Sequence, residues 1–193
     1  MRVVPAPPWL ITGVIALSGL AASLNQTLVI PLLPGFPRAL GITGDDAGWL
    51  ITVTLMIGAV SVPVMSRLAD MYGKRRALLT SLILLTVGSV ISAFGADFVT
   101  LLIGRGFSGF GMTLIPIGIS VLRDVLPSNR LGTAVALQSA TLSIGGAIGM
   151  PLAGVLNDTL GWSSVFWVTA GVTAALVIAT IVFVPTTPIR TGG

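Results

Sequence analysis

The sequence predicts an all-α membrane protein of six transmembrane helices. Hydrophobic residues fill 54% of the 193 positions and charged residues only 8%, where a soluble domain carries about 25% charged residues. The mean hydropathy is +1.02. Six stretches of roughly 20 mostly apolar residues follow one another, each bounded by charges or by Gly and Pro. Such a chain cannot coat a globular surface with polar groups, so its solvent is a bilayer. The runs are continuous rather than alternating, which excludes a membrane β-barrel.

The spans lie at about 9–33, 46–66, 77–94, 98–121, 131–156 and 162–184. The first follows Arg2 but is too long for the apolar region of a signal peptide, and no cleavage site follows it, so it reads as a retained span. Pro31, Pro34 and Pro37 end it. The connections are short, and Pro185 to Pro188 stops the sixth helix ahead of a loose tail. With six spans both termini share one side of the membrane. That side collects Arg2, Arg67, Lys74, Arg75, Arg76, Arg123, Arg130 and Arg190; the other holds Arg38 with Asp45, Asp46, Asp97 and Asp158. The basic excess places both termini in the cytoplasm of a multi-pass protein of the cell (inner) membrane.

The chain has no Cys, His or Glu. That excludes a disulfide framework, thiolate or imidazole metal sites, and nucleophilic catalysis with a His base. No cofactor site is legible. The basic residues follow the topology and do not form a nucleic-acid patch.

The end of the second span, residues 58–73, matches the end of the fifth, residues 146–161, at six of sixteen positions without gaps. The pairs are Gly58/Gly146, Ala59/Ala147, Pro63/Pro151, Leu68/Leu156, Asp70/Asp158 and Gly73/Gly161, all offset by 88. Three spans separate the copies, so the second is inverted in the membrane. Inverted three-helix repeats mark secondary transporters. The competing reading is chance between two Gly/Ala-rich helices, which explains Gly and Ala better than Pro, Asp and Gly in one register. Repeat 1 is expected at about 9–94 and repeat 2 at about 98–184, with a cytoplasmic linker at 185–193.

The loop Ser66-Arg-Leu-Ala-Asp70-Met-Tyr-Gly73-Lys74-Arg75-Arg76 ends one helix on an acid, turns at Gly73 and opens the next helix with three cations. The plain alternative is a set of topological anchors. The segment resembles the signature between helices 2 and 3 of the major facilitator superfamily, G-x-L-A-D-R-x-G-R-K-x-x-L, at Leu68, Ala69, Asp70, Gly73, Lys74, Arg75 and Leu78. Ser66 and Met71 depart from it. The resemblance implies a conformational gate at Asp70, Gly73, Lys74 and Arg75, in which the Asp and nearby cations form a relay that latches two transporter halves.

Arg105 is the only ionisable side chain well inside a span, roughly 10 Å deep at 1.5 Å per residue. A charge there costs on the order of 3 kcal/mol, so it is expected to face a cavity or the protein interior. The alternative is snorkelling toward the outer headgroups. Leu101 to Gly111 is similar to the family's L-x-x-x-R-x-x-Q-G-x-G motif, whose Arg is implicated in proton coupling; Ser108 stands in place of the Gln. Gly106-Phe-Ser108-Gly109 also resembles the nucleophile motif of rhomboid intramembrane proteases, which need the His that this chain lacks.

Gly145, Gly149, Pro151 and Gly154 suit close helix packing with a bend. They also resemble the family's antiporter motif, G-x-x-x-G-P-x-x-G-G, with the Pro displaced by one and Ala153 in place of a Gly. Leu24 to Pro34 resembles the L-D-x-T-V-V-N-V-A-L-P segment of drug:proton antiporters, especially the fourteen-helix type, with Asn25 at the Asp position. Helix–helix hydrogen bonding explains these amides equally.

The resemblance, from about Leu10 to Pro188, implies the N-terminal six-helix half of a secondary transporter. The activity it implies is proton-coupled efflux of small amphipathic compounds by alternating access. Asn25, Gln26, Arg105, Ser108 and Gln138 are the expected substrate or proton pathway. The expected partners are the bilayer, a small-molecule substrate, the proton, and a second six-helix half or another copy of the chain. Without one, a cavity-lining face carrying Arg105 is expected to meet lipid, so a truncated, non-transporting membrane remnant is the alternative. No span core contains a carboxylate. A proton carrier is therefore expected in the other half or at an interfacial Asp.

Overall fold

The computed structural model describes residues 7–185; Arg2, Arg190 and all of the expected linker but Pro185 lie outside them. Among the described residues the regular structure is helical throughout. Six helical segments are long and apolar enough to cross a membrane: Pro8–Leu32, Gly44–Tyr72, Lys74–Phe94, Phe98–Val125, Ser128–Leu160 and Ser163–Phe183.

Helix α1 (Pro8–Thr27) opens on Pro8, at the position where a missing N–H leaves no bond unmade. It tightens to a 3-10 turn at Ile30–Leu32, around Pro31. A short α2 (Phe36–Leu40) is stopped by Gly41 at φ 65°. Helix α3 (Gly44–Tyr72) starts on a reciprocal cap: Thr43 Oγ1 accepts from the Asp46 N–H at 3.1 Å, and Asp46 Oδ2 accepts from the Thr43 N–H at 3.0 Å. Gly73 alone separates it from α4 (Lys74–Phe94).

The fourth span departs from one continuous helix. It comprises α5 (Phe98–Ser108), a 3-10 stretch at Gly109–Thr113 and α6 (Leu114–Val125). Pro116 explains the break: it has no N–H for the Met112 carbonyl four residues back, and its ring crowds that turn. The preceding Gly-rich segment tightens in response. Asp97 caps α5 by accepting from the Thr100 N–H at 2.9 Å. The backbone N–H and then the hydroxyl of Thr100 hold this carboxyl below the usual range. Its capping contribution is therefore present at neutral pH and fades as the pH falls through that lowered value.

Helices α7 (Ser128–Leu160) and α8 (Ser163–Phe183) complete the bundle. The second and fifth spans run past the expected 46–66 and 131–156. Hydropathy marks only the part in hydrocarbon, whereas α3 has 29 residues and α7 has 33. At 1.5 Å per residue these reach about 43 and 50 Å, beyond an apolar core of about 30 Å. The turns after them share one geometry. Gly73 has φ 100° and Gly161 φ 84°, and each donates its N–H to the carbonyl four residues back, Ala69 or Asn157, at 3.0 Å. The helices that follow, α4 and α8, each have 21 residues.

Two apolar clusters form the interior. One gathers Ile15, Leu78, Leu82, Leu85, Ile117 and Leu122; the other gathers Leu28, Phe36, Leu50, Leu101 and Phe166. Hydroxyls stitch the helices between them: Thr113 donates to Ser81 at 2.6 Å, and Thr86 to Thr173 at 2.9 Å. Small residues let the fourth span lie almost backbone to backbone on its neighbours. A Cβ on Gly104 would fall 2.7 Å from the Gly88 carbonyl of α4, and one on Gly109 would fall 2.6 Å from the Thr54 carbonyl of α3. These two contacts fix the height and rotation of the segment that carries Arg105.

Candidate functional site

Arg105 is 2% exposed, although it belongs to the largest and most polar side chains of the interior. The guanidinium leaves α5 between α1 and α3. Its Nη1 donates to Asn25 Oδ1 at 2.9 Å and to the Asn25 carbonyl at 3.4 Å, and its Nε donates to the Leu50 carbonyl at 3.4 Å. Asn25 is itself buried. The Thr54 hydroxyl lies 2.9 Å from the carbonyls of both Leu50 and Arg105, where its one proton is shared. Hydrogen bonds to a charged group contribute about 1.5–3 kcal/mol each. The bond to Asn25 Oδ1 thus offsets a burial cost of about 3 kcal/mol on insertion scales.

These bonds use Nε and Nη1 and leave both N–H groups of Nη2 without a protein partner among the described residues. Arg105 lines a cavity of about 190 Å³ together with Gln26, Ile30, Ile51, Thr54 and Leu55. The cavity is mostly apolar, with one fixed positive charge on its wall. Such a wall suits an amphipathic molecule with an anionic or carbonyl acceptor. The geometry is not that of snorkelling, because the donors are spent on α1 and α3 rather than on headgroups. It also corrects the expectation that one half alone turns Arg105 toward lipid: the bundle interior encloses it.

The other expected pathway residues separate. Gln26 joins Arg105 at the cavity. The Ser108 hydroxyl donates to the Gly104 carbonyl of its own helix at 3.0 Å, so it does not partner Arg105. Gln138 is 1% exposed and lies in the α1–α6–α7 seam, its Nε2 2.4 Å from where a Cβ on Gly19 would stand. Both polar atoms of its amide lack a hydrogen-bond partner among the described residues. Thr54 and the Leu50 carbonyl were not expected. A Thr four residues after Leu50 in an apolar helix is the only sequence signal for them.

The expected gate residues are arranged differently from an Asp70-centred relay. Asp70 is exposed in the last turn of α3 and forms no ion pair among the described residues. Lys74 pairs instead with Asp124, 2.7 Å away, and donates to the Ser120 carbonyl at 3.0 Å. Arg75 donates to the Ile181 carbonyl near the end of α8. The two cations that open α4 therefore each bind the C-terminal turn of another helix, where the helix dipole favours positive charge. Gly73 supplies the φ of 100° that brings them there.

Of the antiporter-like residues, Gly145 and Gly149 admit α1. A Cβ on Gly145 would meet Ser23 Cβ at 2.6 Å, and one on Gly149 would meet Thr27 Oγ1 at 2.0 Å. Ser23 donates across this contact to the Leu142 carbonyl at 2.8 Å. Pro151 is exposed, and nothing lies within 4 Å of where a Cβ on Gly154 would stand.

A family model described as Major Facilitator Superfamily matches residues 15–193. The chain belongs to the major facilitator superfamily. Membership sets aside the rhomboid reading of Ser108 and makes the six-span bundle a multi-pass membrane protein. Among curated relatives, an uncharacterized MFS-type transporter, Rv1877 of Mycobacterium tuberculosis, is 32% identical over 86% of this chain and 24% of its own length. YcnB, an uncharacterized MFS-type transporter of Bacillus subtilis, is 28% identical over 82% of this chain and 34% of its own. Multidrug resistance protein Stp of Mycobacterium tuberculosis is 28% identical over 83% and 30%. The chain thus spans a quarter to a third of the length of these superfamily relatives. The human organic anion transporter MFSD10 (TETRAN) superposes with a TM-score of 0.73 at 20% identity, over 95% of this chain and 49% of that one. The superfamily fold is shared across that distance.

Proposed function

We propose that this chain forms one six-helix half, of N-terminal type, of a secondary active transporter that exports small amphipathic molecules by alternating access, with the proton as coupling ion. The observation that carries the reading is Arg105: a buried guanidinium, held by Asn25 and the Leu50 carbonyl, with spare donors at a mostly apolar cavity. Arg cannot release a proton near neutral pH, so it orients the ligand or biases a nearby carrier by its fixed charge. The multidrug-resistance names of relatives support efflux. Inverted repeats at about 9–94 and 98–184 are supported by the matched turns at Gly73 and Gly161, and the basic excess supports cytoplasmic termini.

A second half, or another copy of the chain, completes the transporter in this reading. Helices α3 and α7 are the least buried of the six spans and present Met56, Val60 and Val64, and Ile144, Ile148 and Val155, outward. The proton carrier would come from that partner or from an interfacial Asp, because no span core here holds a carboxylate. The test is movement of a fluorescent amphipathic dye in proteoliposomes under an imposed pH gradient, with the protein as expressed from its own gene. Dye movement that collapses when the gradient is dissipated is expected. Absence of dye movement, or movement indifferent to the gradient, contradicts the reading.

A further inference from the structure

We propose that the cavity between the N-terminal ends of α1 and α7 is a binding site for an anionic phospholipid, whose phosphate pairs with Arg130 while an acyl chain follows the apolar wall. The cavity measures about 380 Å³ and lies at the other end of α1 from Asn25 and Gln26; Trp9, Leu126, Ala134 and Leu137 form its apolar wall, and Thr12, Thr133 and Arg130 its polar contribution. Arg130 is exposed and has no carboxylate within ion-pairing distance among the described residues. Neither α1 nor α7 carries an acidic residue in its first turn, and none lines the cavity. The local charge is thus positive and uncompensated.

The opposite end of the bundle is built differently. There α3 opens with Asp45 and Asp46 in its first turn, and α5 is capped by Asp97. Charge complementarity therefore selects an anion at the α1–α7 end, and the apolar wall selects one that carries a hydrocarbon chain. Trp9 is 71% exposed one residue into α1. An amphipathic ring there fits the headgroup level, where Trp is favoured. A single Arg near an anionic surface contributes about 1 kcal/mol, which is about a fivefold preference over a zwitterionic lipid.

The experiment uses the full chain in nanodiscs, with Trp49, Trp162 and Trp167 replaced by Phe so that Trp9 is the only fluorophore of its kind. Brominated phosphatidylglycerol and brominated phosphatidylcholine are compared at equal content as quenchers. About fivefold greater occupancy next to Trp9 is expected for the phosphatidylglycerol, lost in Arg130→Gln and kept in Arg123→Gln, an exposed cation outside the cavity. Equal quenching by the two lipids, as when another segment of protein fills the cavity, overturns the proposal. So does a preference that survives Arg130→Gln. If the triple Phe variant fails to fold, lipid retention by the wild-type chain and by Arg130→Gln in native mass spectrometry decides. Equal retention of phosphatidylglycerol overturns the proposal. Transport does not enter this readout, so its outcome is independent of the efflux reading.

Discussion

Arg105 Nη1 and Asn25 Oδ1 lie 2.9 Å apart and tie α5 to α1 across 80 residues of chain. The two ends of this bond are unequal. Removing the Asn25 amide takes from a buried charge its shortest hydrogen bond, which costs about 1.5–3 kcal/mol. Removing Arg105 strands a neutral amide, which costs about 1–3 kcal/mol and is offset by the relief of burying no charge. Asn25→Leu is therefore expected to lower the melting temperature in detergent more than Arg105→Leu. Equal losses from the two variants would show that the bond does not carry the charge of Arg105.

Asn25→Asp is expected to tighten the same contact, because a charge-assisted bond is about twice as strong as a neutral one. The melting temperature should rise. Dye efflux should fall, since the new carboxylate competes with the ligand for the guanidinium. A variant that gains stability and transports as the wild type does would place the ligand elsewhere.

Asp70 in the last turn of α3 and Asp124 in the last turn of α6 should part company. Asp124 is exposed but pairs with the half-buried Lys74, a contact worth up to about 1 kcal/mol, so Asp124→Asn should lower stability by that order. Asp70 is exposed and unpaired among the described residues, so Asp70→Asn should leave the melting temperature within about 0.5 kcal/mol of wild type, as for ordinary surface changes. As a gate residue it should still lose most transport. Normal efflux by Asp70→Asn removes it from the gate.

The glycines of α7 make a sharper contrast. Gly149→Ala drives a methyl into Thr27 and should cost about 1–3 kcal/mol, the usual penalty for overpacking. Gly154→Ala meets open space and should gain up to about 1 kcal/mol of helix propensity. The reverse order in thermal melts would contradict the α1–α7 contact.

Topology is tested by single cysteines in a chain that has none. Those at Tyr72 and Ser128 should label from the cytoplasm, and those at Gly44 and Asp158 from outside. Labelling of Ser128 from outside would overturn the orientation.

The spans were legible because hydrocarbon thickness imposes about 20 apolar residues on any helix that crosses it. The interior position of Arg105 was legible for the same reason, since a lone charge in such a run has few tolerable surroundings. Its partners were not. Leu50 contributes a backbone carbonyl, which no side-chain pattern reveals, and Asn25 lies on a helix whose rotation only packing decides. The partner of Lys74 was hidden similarly: Asp70 is near in sequence, but Gly73 turns the cation toward Asp124. The break in the fourth span was written in Pro116, yet apolar composition masks it.

The most direct test of the account is efflux by Arg105→Leu and Arg105→Lys in membrane vesicles, measured beside thermal stability in detergent. The account predicts a folded Arg105→Leu protein that has lost transport. Arg105→Lys should be impaired, because an ammonium cannot hold Asn25 and Leu50 while offering a second nitrogen to the cavity. Normal efflux by Arg105→Leu, or a protein that no longer folds, would contradict a role for Arg105 at the transport cavity.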